Sequence, residues 1–194
     1  MAEGSDGELV RRTLEGDSAA FTVLVRRHER RVYSVALRML GRPEDASDAS
    51  QDAFLTAFTK LDRFRGEAAF STWLHRVTVN ACYDILRKRT RQPLLHAAGD
   101  DPRPPEQGPP APDHADRVAV ALDAAEALGR VPEEFRAALI LADVEDLPYE
   151  EISQILQVPL GTVKSRVHRG RIALAEAMGL REPRAPAEPS EGDP

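Results

Sequence analysis

Residues 98 to 116 read AGDDPRPPEQGPPAPDHAD, a stretch with six prolines and almost nothing apolar. Such a segment buries too little surface to offset the entropy lost in ordering it. It predicts a flexible, extended, acidic linker over residues 92–116. The tail from Arg181, REPRAPAEPSEGDP, has the same composition and is expected to be disordered. Two blocks remain, 5–91 and 117–180, each long enough to build a core.

In both blocks the apolar residues recur at helical spacing, with no convincing strand alternation. Ser5 and Glu8 resemble a capping box ahead of a short helix ending near Gly16. Asp17 is placed to cap a second helix, whose Phe21, Leu24, Val25, Val32, Val35 and Met39 form a stripe before Gly41 stops it. Pro43, Glu44 and Asp45 suit the first turn of a third, because proline fits there and acids favour the positive end of the helix dipole. Its expected buried side is Ala46, Ala53, Phe54, Ala57, Phe58 and Leu61. A fourth helix is predicted over 69–89.

The second block predicts a helix over 118–128 ending at Gly129, then another from Pro132 carrying Phe135, Leu139, Ile140 and Val144. A short amphipathic helix (149–156), a tight turn at Gln157, Val158 and Pro159, and a basic helix (160–178) follow. That succession is a helix-turn-helix. The fold expected is all-α: two helical domains joined by the linker, the second containing the helix-turn-helix.

Charge limits what the chain can bind. With 26 Lys and Arg against 32 Asp and Glu, the net charge is -6, so contact with nucleic acid must come from local basic surfaces. Two candidate surfaces stand out. On the last helix Val163, Val167, Gly170, Leu174 and Met178 form one stripe, while Lys164, Ser165, His168 and Arg169 project from the opposite side. Lys and Arg there can donate to guanine O6 and N7, and Arg166 and Arg171 on the flanks are placed for phosphates. On the fourth helix Phe70, Leu74, Val77, Ala81 and Ile85 fall on one side, with Thr72, Arg76, Asn80, Tyr83 and Arg87 on the other. That second side is either a nucleic-acid face or a solvated helix face, and Trp73 lies between the two sides as a core or edge residue.

Other classes find little support. Cys82 is the only cysteine, and the five histidines show no zinc-ligand spacing, so neither metal nor cofactor is expected. No phosphate-binding glycine loop, metal-ligand pattern or nucleophile elbow points to an enzyme or to a small-molecule substrate. No basic start followed by an apolar run opens the chain, and no segment approaches the ~20 apolar residues of a membrane span. A cytoplasmic protein without membrane insertion is expected. A dimeric helix-turn-helix regulator is the alternative reading, but no heptad seam or sensor domain accompanies the motif.

The segments AFTVLVRRHERRVYSVALRMLG, EDASDASQDAFLTAF, FRGEAAFSTWLHRVTVNACYDILRK and LPYEEISQILQVPLGTVKSRVHRGRIAL, in that order and spacing, resemble the sigma-70 family of RNA polymerase sigma factors, in its extracytoplasmic-function (ECF, group 4) class. The resemblance implies a bacterial factor directing polymerase to specific promoters and promoting DNA opening. It implies that 5–91 is a region 2-like domain and 117–180 a region 4-like domain. Asp48, Gln51, Asp52 and Phe54 would bind the clamp of the largest catalytic subunit of core polymerase. Phe64, Arg65, Arg76, Asn80, Tyr83 and Arg87 would capture the -10 strand during melting. Lys164, Ser165, Arg166, His168, Arg169 and Arg171 would read the -35 element, while apolar surface of the second block docks on the flap of the second large subunit. The acidic linker, with Asp100, Asp101, Glu106, Asp113 and Asp116, would either thread a basic channel as a nucleic-acid mimic or serve as a solvated tether. An anti-sigma factor, in some cases at the membrane, is a partner implied by the class.

Overall fold

The computed structural model describes residues 4–91 and 124–180. The expected linker, the tail and the start of the helix predicted from Val118 lie outside the described residues. All described regular structure is helical, as expected.

Helix α1 (Asp6–Leu14) begins where Ser5 accepts a hydrogen bond from the Glu8 amide at 3.3 Å, satisfying one orphan donor of the first turn. Helix α2 (Ser18–Leu40) is capped by Asp17, which accepts from the amides of Ala19 and Ala20. It ends at Gly41, whose φ of 72° is readily available to glycine. Helix α3 (Pro43–Thr59) has no side-chain cap and relies on Pro43 and the acids of its first turn. Its buried side is nearly all alanine, with Ala46, Ala49, Ala53 and Ala57 fully covered, so neighbouring helices pack against its backbone. Phe58 departs from expectation: it is 50% exposed and only edges onto Phe21, with ring centroids 4.9 Å apart. A 3-10 turn (Leu61–Arg63) and a loop through Gly66 lead into helix α4 (Phe70–Arg91).

In the second block, helix α5 covers residues 124–130 and helix α6 (Glu133–Leu139) follows Pro132. Helix α6 then widens into a π turn (Ile140–Val144), closed by the Glu145 amide on the Ile140 carbonyl at 3.0 Å. The extra residue shifts the register. Leu141 turns into the core and Val144, expected there, is 44% exposed. Helix α7 (Tyr149–Leu156), a turn with Gln157 in the left-handed region, and helix α8 (Leu160–Ala177) complete the helix-turn-helix. Helices α6 and α8 cross at Gly170, where a Cβ would sit 3.0 Å from the Phe135 carbonyl oxygen and 3.3 Å from Leu139 Cβ. Farther along α8, Leu174 is only half-buried and Met178 is exposed.

One hydrophobic cluster, around Leu9, Leu24, Val32, Phe70 and Leu74, belongs to the first block alone. The other joins Val35, Met39, Val79, Cys82 and Leu86 of the first block to Ile140, Leu141, Ile152, Val163 and Val167 of the second. Polar contacts tie the same junction. Buried Arg136 donates to the Met39 carbonyl at 2.6 Å and to the carbonyls of Gly129 and Val131. Arg89 donates to the Leu40 carbonyl at 3.2 Å, so the unpaired carbonyls ending α2 receive guanidinium groups from α4 and α6.

Candidate nucleic-acid interface

Helix α4 buries more than one side. Besides Phe70 and Leu74 it covers Thr72, His75, Val79, Cys82 and Leu86, a run at three- and four-residue spacing. The second block supplies much of this cover. Thr72, expected on an open face, is 4% exposed and donates its hydroxyl hydrogen to Glu151 of α7 at 2.9 Å. Tyr83 packs at the edge of the shared cluster, and burial raises the pKa of its phenol.

The remaining candidates on α4 gather around two hollows. The first, about 670 Å³, is walled by the loop 63–68 and by Thr72, Trp73 and Arg76. Phe64 and Phe70 stack around Trp73 beside it, with centroids 5.6 and 5.8 Å from the indole. Arg63, Arg65 and Arg76 are its cations, and none of them makes an ion pair among the described residues. Gly66, at φ 72°, turns the loop around its rim. Gln154 of α7 and Gln157 of the following turn complete the wall.

The second hollow is a groove of about 580 Å³ between α3 and α4. Six cations line it (Lys60, Arg63, Arg76, Arg87, Lys88 and Arg91) against two acids, Asp52 and Asp84. Arg87 is paired with Asp84, three residues earlier on α4. Asn80 is an exposed lining residue of the groove, and Arg63, Trp73 and Arg76 line both hollows. A groove of this charge suits a phosphate backbone, and an aromatic-sided hollow at its end suits an unstacked base. Phe64, Arg65, Arg76, Asn80 and Arg87 thus come together, and Tyr83 does not line either hollow. The loop's Arg63 and the lining groups Trp73, Gln154 and Gln157 were not anticipated as site residues. For the glutamines no local signal exists, because only the packing of the two blocks brings them there.

On α8, Lys164, Ser165 and His168 are exposed, and their side chains make no hydrogen bond or ion pair among the described residues. The arginines are held from the flanks. Arg166 pairs with Glu134 at 3.2 Å, and Arg169 lies over the Phe135 ring at 5.8 Å. Arg171 makes a two-point contact with Asp143 at 2.9 and 2.6 Å, and the bonded carboxylate raises the guanidinium pKa above its ordinary value. The free part of the helix is therefore its N-terminal half, the half a recognition helix presents to base edges.

Helix α3 offers a third surface. Asp48, Gln51 and Asp52 are exposed, while Phe54 is half-buried in the first cluster. Leu55, 57% exposed, shares their side of the helix and was not anticipated as a site residue, because a single apolar residue on an outer helix face is common and marks nothing by itself.

These features meet in known proteins. Residues 24–92 match the family described as Sigma-70 region 2, and residues 121–174 match Sigma-70, region 4. The chain is 40% identical over 177 residues to the ECF RNA polymerase sigma factor SigM of Mycobacterium tuberculosis, covering 91% of this chain and 86% of that one. The chain belongs to the sigma-70 family, in its ECF class. This sigma factor is also 41% identical over 166 residues to SigE of Mycolicibacterium smegmatis, of whose length it spans 63%. In fold it resembles CnrH, solved in complex with the cytosolic domain of CnrY, at a TM-score of 0.67 and 26% identity over 91% of this chain and 99% of that one. Sigma factors of the family direct RNA polymerase to promoters, and this chain is an alternative sigma factor acting with core polymerase on promoter DNA. Among the described residues no helix is long and apolar enough to cross a membrane, and no cluster of three or more metal-ligating side chains occurs.

Proposed function

We propose that residues 5–91 act as the -10 and core-binding domain of this sigma factor and residues 117–180 as its -35 domain. The observation that carries this reading is the basic groove ending in the hollow beside Trp73, both lined by Arg76. A single strand runs along the groove through its phosphates, and one base turns into the hollow as the duplex opens. Arg63, Arg65, Arg76 and Arg87 hold the strand, and Asn80, exposed among them, bonds a base edge. On α8, Lys164, Ser165 and His168 read the -35 element with Arg169, whose guanidinium is oriented by Phe135. Arg166 and Arg171 reach phosphates from their ion pairs.

The exposed side of α3, with Asp48, Gln51, Asp52 and Leu55, docks on the polymerase clamp, a mixture of acids and apolar surface suited to a protein partner. Phe54 supports that side from beneath. The second block docks on the flap. The factor works by binding, without catalytic residues of its own, in the bacterial cytoplasm. CnrH, solved with the cytosolic domain of CnrY, supports a protein partner of the anti-sigma kind.

Permanganate footprinting tests the -10 assignment. With Asn80→Ala, promoter opening falls by roughly tenfold while closed-complex binding changes little, in line with the ~1–3 kcal/mol of one base contact. Equal thymine reactivity in wild type and variant would remove Asn80 from the strand site.

A further inference from the structure

We propose that helix α1 is a brace for strand capture: through Asp6 and His28 it sets the aromatic wall against which the -10 base comes to rest. Asp6 and His28 are positioning residues, acting on the strand through Phe70, Phe64 and Trp73. The inference rests on the strand-capture reading of α4 and adds what holds that site in shape.

The wall of the hollow is built in depth. Phe64 and Trp73 line it, with ring centroids 5.6 Å apart. Phe70 closes a triangle with them, 5.8 Å from each and 4% exposed. The next contact is the imidazole of His28 on α2, buried and 5.5 Å from the Phe70 ring. Close-packed rings at such separations limit one another's orientation, so the direction of His28 bears on the rings that face the strand.

The last member of this series is on α1. Asp6 uses its two carboxylate oxygens separately: Oδ2 accepts from His28 Nε2 at 2.8 Å, and Oδ1 accepts from Arg27 Nη1 at 2.5 Å. Arg27 also donates to the Gly4 carbonyl at 3.0 Å, which ties the start of α1 to α2. A buried imidazole bonded at one nitrogen to a carboxylate cannot turn without breaking that bond, so Asp6 fixes the ring plane. One turn along α1, Leu9 and Val10 are buried in the same cluster as Leu61, Phe70 and Trp73, and Leu61 opens the 3-10 turn that leads into the loop of the hollow. Helix α1 thus steadies both parts of the wall, Trp73 on α4 and Phe64 on the loop, while lining neither hollow itself.

An acid in the first turn also favours the helix dipole, and Glu8 does this as well as Asp6. The Glu8 carboxylate pairs with Arg11 on its own helix and does not reach the aromatic series. Glu8→Ala therefore removes the same charge from the same helix start without loosening the wall. Losing a negative charge would by itself favour contact with phosphates, so weaker strand capture in Asp6→Ala has to come from geometry.

The test uses the full chain and the holoenzyme it forms with core polymerase, on a promoter selected by run-off transcription. Asp6→Ala should lower permanganate reactivity of the -10 thymines about fivefold, the lower end of what one base–aromatic stack contributes, with closed-complex binding unchanged. In the free protein, acrylamide should quench Trp73, the only tryptophan of the chain, more strongly than in wild type. Glu8→Ala should match wild type in both measurements. If Asp6→Ala fails to fold, His28→Gln carries the test: it keeps a side-chain N–H for Asp6, removes the ring against Phe70, and should lower opening as far. Wild-type opening in the folded variants, or equal losses in Glu8→Ala, would overturn the brace. Arg76→Ala and Asn80→Ala separate the two claims: if they lower opening while Asp6→Ala and His28→Gln do not, only the brace falls, and if both open the promoter like wild type, the strand-capture reading falls and takes the brace with it.

Discussion

His75 sits on α4 at 3% exposure with no hydrogen-bond partner for its Nδ1, facing Arg31 and His28 of α2. Burial first, and then those two neighbours, pull its pKa from 6.5 down to about 4. The unfolded chain therefore takes up this proton about 2.5 pH units before the folded one does. At ~1.4 kcal/mol per unit, keeping His75 neutral in the fold amounts to about 3 kcal/mol. The sign follows: a lowered pKa leaves this contribution fully present above pH 6.5 and lost as pH falls toward 4. Many carboxylates titrate in the same window, so the informative quantity is a difference between two proteins. Urea unfolding of wild type and His75→Gln at pH 7 and pH 4 should find that wild type loses about 3 kcal/mol more than the variant. Whatever fixed cost the substitution carries cancels in the comparison. Parallel losses in the two proteins would refute the reasoning and place His75 where protons reach it freely.

Two further outcomes are expected. Arg169→Ala should weaken discrimination at one -35 base pair by about 1–3 kcal/mol, and Phe135→Leu should do so by less, since it removes only the ring that orients the guanidinium; promoter titrations with purified holoenzyme would measure both, and unchanged selectivity in both would take Arg169 off the base edges. Gly170→Ala presses a methyl to 3.0 Å from the Phe135 carbonyl oxygen, so chemical denaturation should register a loss of about 1–3 kcal/mol from the second block; a neutral result would mean that α6 and α8 separate freely.

Local chemistry made much of the fold legible. Ser5, Asp17, Gly41 and Pro43 mark helix ends through hydrogen bonds and dihedral angles settled within a few residues, and each stands where its chemistry puts it. The turn at Gln157 to Pro159 separates α7 from α8 for the same reason. The π turn at Ile140–Val144 was not legible, because inserting one residue into a helix changes the register without changing the composition. Phe58 defeated periodicity in another way: helical spacing sets it on the buried side of α3, but alanines and Leu61 already fill that side and the ring stays half exposed.

The candidate site was legible in part for a similar reason. Arg76, Asn80 and Arg87 lie on the side of α4 that the 100° rule assigns them and do line the groove. Thr72 and Tyr83 share that side in projection, yet contacts from a block more than fifty residues away draw them under cover. Periodicity divides a helix into an inside and an outside. It has no place for a helix that supports two layers at once, as α4 does.

The most direct measurement is binding of purified core RNA polymerase to this protein, followed by run-off transcription from a promoter library. Stable association with new promoter-specific transcripts is the predicted result, and the selected sequences would reveal the -35 and -10 elements. A protein that bound duplex DNA alone, ignored core polymerase and added no transcripts would contradict the account.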